Sequence, residues 1–277
     1  ALDKLKITYK QGSASTCEFT CFRHGIKFNS GNVVKVYVDN KLYWVGYIMQ
    51  FQNNGERFID ITAYDQMVYL NNPDVVAFKG KTATEVLKHY AETEHLLLGT
   101  VAKTEYRHTE IFDGDSIYEI IDTFLSKDLV YKGKEYLLYD SVGKLILRNI
   151  KNLVYNGFEL SIDTCEKYDY SEDLTNGFYN KVILYFENDK TGSYDLYKAQ
   201  NDKLINRYGT FSTVEQIQVS KLGKPKADAL LNFYSQVPRT LSANDCLGNI
   251  HVRDGTIIPV ALDLENIHIH NYMIVSA

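Results

Sequence analysis

Apolar residues occupy every second position through most of this chain and switch to helical spacing in only three places. The first stretch predicts five strands, Leu5–Tyr9, Cys17–Arg23, Val33–Val38, Leu42–Phe51 and Phe58–Tyr64. Gly12, Gly25, Gly31, Asp39-Asn40 and Asn53-Asn54-Gly55 supply the turns, which is enough for one small barrel or sandwich. The cluster Asn71-Asn72-Pro73-Asp74 then breaks the alternation. Thr82-Ala83-Thr84-Glu85 reads as a capping box that opens a helix carrying Val86, Leu87, Tyr90 and Ala91 on one side. Ser116-Ile117-Tyr118-Glu119 repeats the device before a second helix, with Ile117, Ile120, Ile121, Phe124 and Leu125 as its apolar stripe and an end near Lys127. A hairpin, Glu135–Tyr139 and Lys144–Arg148, follows around Asp140-Ser141-Val142-Gly143.

Period-2 alternation returns after Gly157, predicting strands at Tyr179–Phe186, Tyr194–Tyr197, Ser212–Val219, Arg239–Ala243, Asn249–Arg253, Ile257–Leu262 and His268–Val275. One helix interrupts them, with Pro225 in its first turn, Ala229, Leu230, Phe233 and Tyr234 as its packing face, and Pro238 closing it. The division that results is 1–72, 73–156 and 157–277, mainly β with an α+β middle.

One pattern occurs near both ends. Gly31-Asn32-Val33-Val34-Lys35-Val36-Tyr37-Val38 followed by Tyr43-Trp44-Val45-Gly46-Tyr47-Ile48 is echoed by Gly255-Thr256-Ile257-Ile258-Pro259-Val260-Ala261-Leu262 followed by Asn271-Tyr272-Met273-Ile274-Val275. Both read as hairpins opened by glycine. The echo predicts two related β domains in one chain, set against the plainer reading that any two hairpins look alike.

Composition narrows the function classes. The net charge of -5 argues against a nucleic-acid grip, which needs a basic surface. No run approaches the roughly 20 apolar residues that cross a bilayer, so no membrane insertion is expected. The 22 tyrosines and 13 phenylalanines against the single Trp44 point to strand and interface surface. The four cysteines, Cys17, Cys21, Cys165 and Cys246, form no C-x-x-C pair, and Cys17 and Cys21 lie about 13 Å apart along one strand, too far to bridge. Thiols of a reducing compartment are the expectation.

Signals for chemistry are weak. His268-Ile269-His270 puts two imidazoles on one strand face without a third ligand beside them. Asp163, Glu166, Asp169, Glu172 and Asp173 read as a solvated, loop-side acidic cluster rather than an acid–base pair or calcium loop. Ser126, Ser171 and Ser220 lack a nucleophile-elbow context, Cys246 near His251 carries no nucleophile signature, and neither glycine-rich nucleotide motif is present. No catalytic, cofactor-binding or metal-ligating residue is assigned, no cofactor is expected, and the chain is read as a non-enzyme.

Several ordered stretches carry a resemblance. Ala63-Tyr64-Asp65 with Tyr69-Leu70, Phe78-Lys79-Gly80-Lys81-Thr82-Ala83, Ser116-Ile117-Tyr118-Glu119-Ile120-Ile121, Tyr179-Asn180-Lys181-Val182, Arg207-Tyr208-Gly209-Thr210-Phe211 and Gly248-Asn249-Ile250-His251-Val252-Arg253-Asp254-Gly255 span most of the chain. Together they resemble the baseplate hub proteins of contractile phage tails and phage-tail-like bacteriocins, in the branch found in the defective prophage PBSX. The resemblance implies two small β-barrel domains of tail-hub type, 1–72 and 157–277, separated by an α/β region, 73–156. It also implies a structural subunit forming a homotrimeric, pseudo-sixfold ring between the hexameric tail tube and the trimeric spike, with the tape-measure protein as a further partner. Such a subunit is made in the bacterial cytoplasm and incorporated into a virion or tail-like particle. The alternative is a cell-wall-binding or peptidoglycan-hydrolysing module of such a particle. Members of this family carry a further N-terminal strand segment and one more hairpin after the region matching Tyr272–Ser276, so a trimmed chain is expected.

Overall fold

The computed structural model describes residues 2–22, 29–54, 57–188, 192–217, 223–262 and 271–274. The chain divides into two compact units, one comprising Ala1–Ser126, Glu135–Ile162 and Gly248–Ala277, the other Lys127–Lys134 and Asp163–Leu247. Strands predominate in both.

The first unit opens with β1 (Leu2–Thr8), β2 (Thr16–Phe22), β3 (Val33–Val38), β4 (Lys41–Asn54) and β5 (Phe58–Tyr64) in one antiparallel sheet of order β1-β2-β5-β4-β3. All five coincide with the alternating runs. The β3–β4 turn works because Asp39 and Asn40 both adopt left-handed φ, 49° and 62°, the pair that a two-residue hairpin with the strands' own twist requires. Register shifts at Asp3/Leu5, Val36/Tyr37 and Ile48/Gln50 mark bulges, which add twist and curl the sheet into a half-barrel. Its concave packing uses Tyr9, Cys17, Trp44 and Ala63, with Cys21, Ile48, Ile59 and Ile61 as a second cluster.

The chain continues through a 3₁₀ turn at Gln66–Asn71 into β6 (Pro73–Lys81), α1 (Ala83–Thr93), β7 (Leu98–Val101), β8 (His108–Ser116), α2 (Ile117–Lys132), β9 (Tyr136–Asp140) and β10 (Leu145–Asn149). Strands β6 and β8 pair as an antiparallel ribbon, and β7, β10 and β9 form a small sheet in that order. Both predicted helix starts are present. Glu85 N–H donates to Thr82 Oγ1 at 3.3 Å while Thr82 N–H donates to Glu85 Oε2 at 2.9 Å. Ser116 and Glu119 repeat the exchange at 3.3 and 2.8 Å. Helix α2 runs five residues past the expected end because Leu129 and Val130 extend its half-buried side, and it stops where Gly133 takes φ 61°. Phe124 sits at the centre of this core, its ring 5.8 Å from Phe78 and 6.1 Å from Phe112.

A short β11 (Leu160–Ser161) precedes the second unit, which holds β12 (Cys165–Glu172), β13 (Lys181–Asn188), β14 (Ser193–Gln200), α3 (Asp202–Tyr208), β15 (Ser212–Gln216), α4 (Gly223–Tyr234) and β16 (Arg239–Cys246). β14, β13 and β15 form a sheet in that order, and β12 pairs antiparallel with β16. Val182, Leu184, Ala199 and Ile217 pack with Ala227 and Leu230 of α4. That helix is rotated from the expected face: Ala227 is in the core and Phe233 is half exposed. Helix α3 was not signalled by apolar spacing; its start is Asn201, whose side chain accepts from Leu204 N–H at 3.2 Å, and its end is Gly209 at φ 81°.

The chain then returns to the first unit with β17 (Ile257–Ala261) and β18 (Asn271–Met273), giving the sheet β11-β17-β18. Two expectations need correction. The acidic stretch around Glu166 and Asp169 is a strand rather than a loop, held by antiparallel pairing with β16 at Cys165 and from Lys167 to Glu172. Asn249–Arg253 is not a strand, because the Asn249 side chain accepts His251 N–H at 2.9 Å and its carbonyl accepts Val252 N–H at 3.0 Å, closing a turn.

Phe124→Ala should lose about 3–5 kcal/mol of stability, the cost of emptying an aromatic site in a packed core, whereas Phe233→Ala on the exposed side of α4 should cost under about 1 kcal/mol. Denaturant titration followed by circular dichroism compares them; equal losses would refute this placement of the core.

Candidate assembly surfaces

The two glycine-opened hairpins correspond bond for bond. In the first, Asn32 N–H donates to Asn29 O at 3.1 Å and Asn29 N–H to Asn32 Oδ1 at 2.7 Å. In the second, Thr256 N–H donates to Arg253 O at 3.1 Å and Arg253 N–H to Thr256 Oγ1 at 3.3 Å. Gly31 N–H then reaches Ile48 O at 2.7 Å and Ile48 N–H reaches Asn32 O at 2.9 Å. Gly255 N–H reaches Ile274 O at 2.7 Å and Ile274 N–H reaches Thr256 O at 2.8 Å. Val33 pairs with Tyr47 as Ile257 pairs with Met273. The glycines have φ 83° and 78°, which the third turn position demands. Their surroundings differ: a Cβ on Gly31 would meet nothing within 4 Å, while one on Gly255 would fall 1.8 Å from Leu137 Cδ2.

Arg253, in the second of these turns, ties three distant parts of the first unit together. Its guanidinium lies 4.5 Å from the Tyr9 ring centroid and 4.7 Å from that of Tyr139. It donates to Asp140 O at 2.7 Å and pairs with Asp254 Oδ1 at 2.9 Å. Asp140 in turn accepts from Gln66 Nε2 at 2.9 Å and Gly143 N–H at 2.9 Å, and Gln66 Oε1 accepts Leu97 N–H at 3.0 Å. Next to this lies Asp65, which accepts Ser15 N–H at 3.0 Å and Met67 N–H at 2.9 Å and hydrogen-bonds the Ser15 hydroxyl, itself an acceptor for Trp44 Nε1 at 2.8 Å.

Burial pushes the Asp65 carboxyl up to about 7, helped by the charge of Asp140 and opposed by the Ser15 and Met67 donors. Burial also raises Asp140, to about 6, against the donors Gly143 and Gln66 and the Arg253 cation. Asp65 is raised further than Asp140, whose rise on burial the Arg253 cation opposes. Arg253 and Asp65 both stand in stretches that carry the family resemblance, and no local pattern announced their roles.

Among the described residues, exposed apolar side chains gather on several strand faces. On β3 the outward row is Val33, Lys35 and Tyr37. On the ribbon β6–β8, Val75 is 70 % exposed and Ile111 78 % exposed, with Ala77 directly opposite Ile111. On the second unit's sheet, the side away from α4 carries Tyr194, Leu196 and Val214, with Tyr185 meeting Tyr194 at 5.5 Å between ring centroids.

The residues weighed for chemistry are dispersed. His268, His270 and Ser220 lie outside the described residues. Glu172 pairs with Arg239 at 3.0 Å, and Asp173 caps a turn by accepting the Thr175 hydroxyl at 2.6 Å and the Thr175 N–H at 2.8 Å, which together hold its carboxyl below the usual range. Ser126 donates to the carbonyls of Asp122 and Thr123 within α2, both at 3.0 Å. The His251 ring lies 5.3 Å from that of Tyr155 between centroids, tilted by 50°, and Cys246 faces Cys165. Among the described residues no group of three or more His, Cys, Asp or Glu is placed to hold a metal ion.

The fold of this chain is shared with solved prophage tail proteins. The 43 kDa tail protein of prophage MuSo2 from Shewanella oneidensis matches with a TM-score of 0.71, covering 100 % of this chain and 89 % of that one at 12 % identity. The YqbQ-like family model matches residues 7–277, and the chain belongs to that family. It is 29 % identical to YqbQ of Bacillus subtilis (strain 168) over 60 % of this chain and 51 % of that protein. It is 24 % identical to XkdQ of the phage-like element PBSX, from the same organism, over 76 % of this chain and 65 % of that protein. The chain thus spans about half to two thirds of the length of these curated relatives.

Gly255→Ala should destabilise by about 2–4 kcal/mol, combining left-handed strain with overpacking against Leu137, and Gly31→Ala by only about 1 kcal/mol of strain. Thermal unfolding of the two variants reads the difference; equal shifts would overturn the asymmetry.

The buried carboxyls predict a pH effect of definite sign. Asp65 and Asp140 hold protons in the folded chain that the unfolded chain releases near pH 4, so their stabilising contribution is complete below about pH 4 and is lost as the pH rises through about 6 and about 7. Asp65→Asn, whose amide cannot accept every donor now served by the carboxyl, should be less stable than the parent at pH 5, and the gap should narrow by pH 8. Parallel melting-temperature profiles would contradict this.

Proposed function

We propose that the chain is a structural baseplate hub subunit of a contractile tail or tail-like particle, three copies forming a pseudo-sixfold ring between the hexameric tail tube and the trimeric spike. The observation that carries this reading is the bond-for-bond match of the hairpins at Gly31 and Gly255. A threefold assembly presents six near-equivalent surfaces only if each subunit offers two alike, and a turn and strand register repeated within one chain supply such a pair. In this reading, 1–72 and 157–277 contribute the two barrel elements and 73–156 is the spacer between them. Its partners are other copies of itself, the tube protein, the spike and the tape-measure protein. The subunit is made in the bacterial cytoplasm, joins the particle, and catalyses nothing.

Among the described residues β3 is an edge strand, and its exposed apolar side chains fit a role in contacts between subunits, since an outermost strand offers both side chains and backbone groups to a neighbour. Light scattering across a concentration series, alone and with purified tube and spike proteins, tests the reading. A trimer, or a ternary complex containing three copies, is expected, and Val33→Asp should weaken it by about tenfold or more. A chain that stays monomeric and binds neither protein would overturn the proposal, as would lysis of purified peptidoglycan.

A further inference from the structure

Cys165 and Cys246 stand 81 positions apart in the sequence and directly opposite each other on β12 and β16. The neighbouring pair is hydrogen-bonded, Leu247 N–H to Thr164 O at 2.8 Å, so the alternation of an antiparallel ladder puts the two cysteines in a non-hydrogen-bonded position. In such a position the Cα atoms lie about 4.5 Å apart and the side chains lean toward each other, inside the range of about 4.4–6.8 Å that a disulfide spans. Asp245 takes a left-handed φ of 54°, yet the register continues unchanged on both sides of it. The Cys246 thiol hydrogen-bonds that of Cys165. Cys165 is buried and Cys246 is exposed, giving one thiol that solvent oxidants reach and one shielded behind it.

We propose that Cys165 and Cys246 form an intrachain cross-strand disulfide when the protein meets a small-molecule disulfide. The Cys246 thiolate attacks the oxidant, forming a mixed disulfide and releasing one small thiol. The Cys165 sulfur then displaces the second small thiol, so that the two protein thiols lose two protons and two electrons and the oxidant gains them. The bond closes the second unit on itself. Cys165 is the third residue and Cys246 the last but one of the stretch Asp163–Leu247 that forms most of that unit, so the ring encloses residues 166–245. A loop this long loses much unfolded-state entropy when cross-linked. The proposal stands on strand pairing and is independent of the hub reading. Burial and the nearby thiol and carboxylate raise the Cys246 thiol above its ordinary value, so formation accelerates toward alkaline pH.

The test incubates the full chain with oxidised glutathione at pH 7, 8 and 9, followed by non-reducing tryptic mass mapping and thermal unfolding. The expected product is a monomer lighter by two hydrogens, in which peptides Asn152–Lys167 and Thr240–Arg253 are joined. It should form faster at each higher pH, and its unfolding midpoint should rise by about 5–10 °C, reversibly with dithiothreitol. Cys246→Ser should abolish the linked peptide and the shift while leaving the reduced protein's midpoint unchanged. Stable glutathionylation of Cys246 without the linked peptide, or a disulfide between two chains, would overturn the proposal.

Discussion

A guanidinium placed between two phenol rings must find every acceptor it needs close by, because desolvated donors left unpaired cost more than the stacking returns. Arg253 meets that constraint by drawing on Tyr9 from the start of the chain, Tyr139 and Asp140 from the β9–β10 hairpin, and its own neighbour Asp254. Three segments of the first unit that are remote in sequence therefore share one charge. Asp140 passes the connection on to Gln66 and Leu97, and Asp65 anchors the loop containing Ser15 beneath Trp44. A network of this kind specifies one arrangement, since any partial version leaves buried polar groups without partners.

The same turn that positions Arg253 is half of the internal repeat. Its counterpart at Asn29–Asn32 uses the same backbone bonds with an open space beside its glycine. The two turns share their backbone bonds while their surroundings differ, one exposed at a sheet edge and one locked against Leu137. The backbone geometry of such a hairpin is a constraint of its turn, and the side chains it carries answer to their own neighbours.

Local patterns made much of this legible. β1 to β5 follow the alternation because each has one face in the core, and the capping boxes at Thr82 and Ser116 announce their helices through residues three apart. Patterns fail where the deciding partner is distant. Strands β6 and β8 form a ribbon whose outward side is apolar, Val75 and Ile111, so no clean alternation marks it. β12 reads as a solvated acidic stretch until β16 pairs with it. The two ends of Asn249–Arg253 look strand-like, and the Asn249 side chain overrides them with a turn. The polar joint was invisible for the same reason: nothing in a window around Arg253 mentions Tyr9 or Tyr139. The cysteines make the point most plainly, since Cys17 and Cys21, close in sequence, lie along one strand, and the facing pair is 81 residues apart.

Among the described residues β3 is the outermost strand of its sheet, and Lys35 stands in the middle of its outward row between Val33 and Tyr37. A flat apolar edge would zip onto any other exposed strand in a crowded cell. An ammonium at its centre makes indiscriminate pairing costly, because each wrong partner must strip its water without offering a counter-charge. The selection this edge exerts is negative: Lys35 penalises any pairing that would leave its ammonium without water, and so guards a row that would otherwise be wholly apolar.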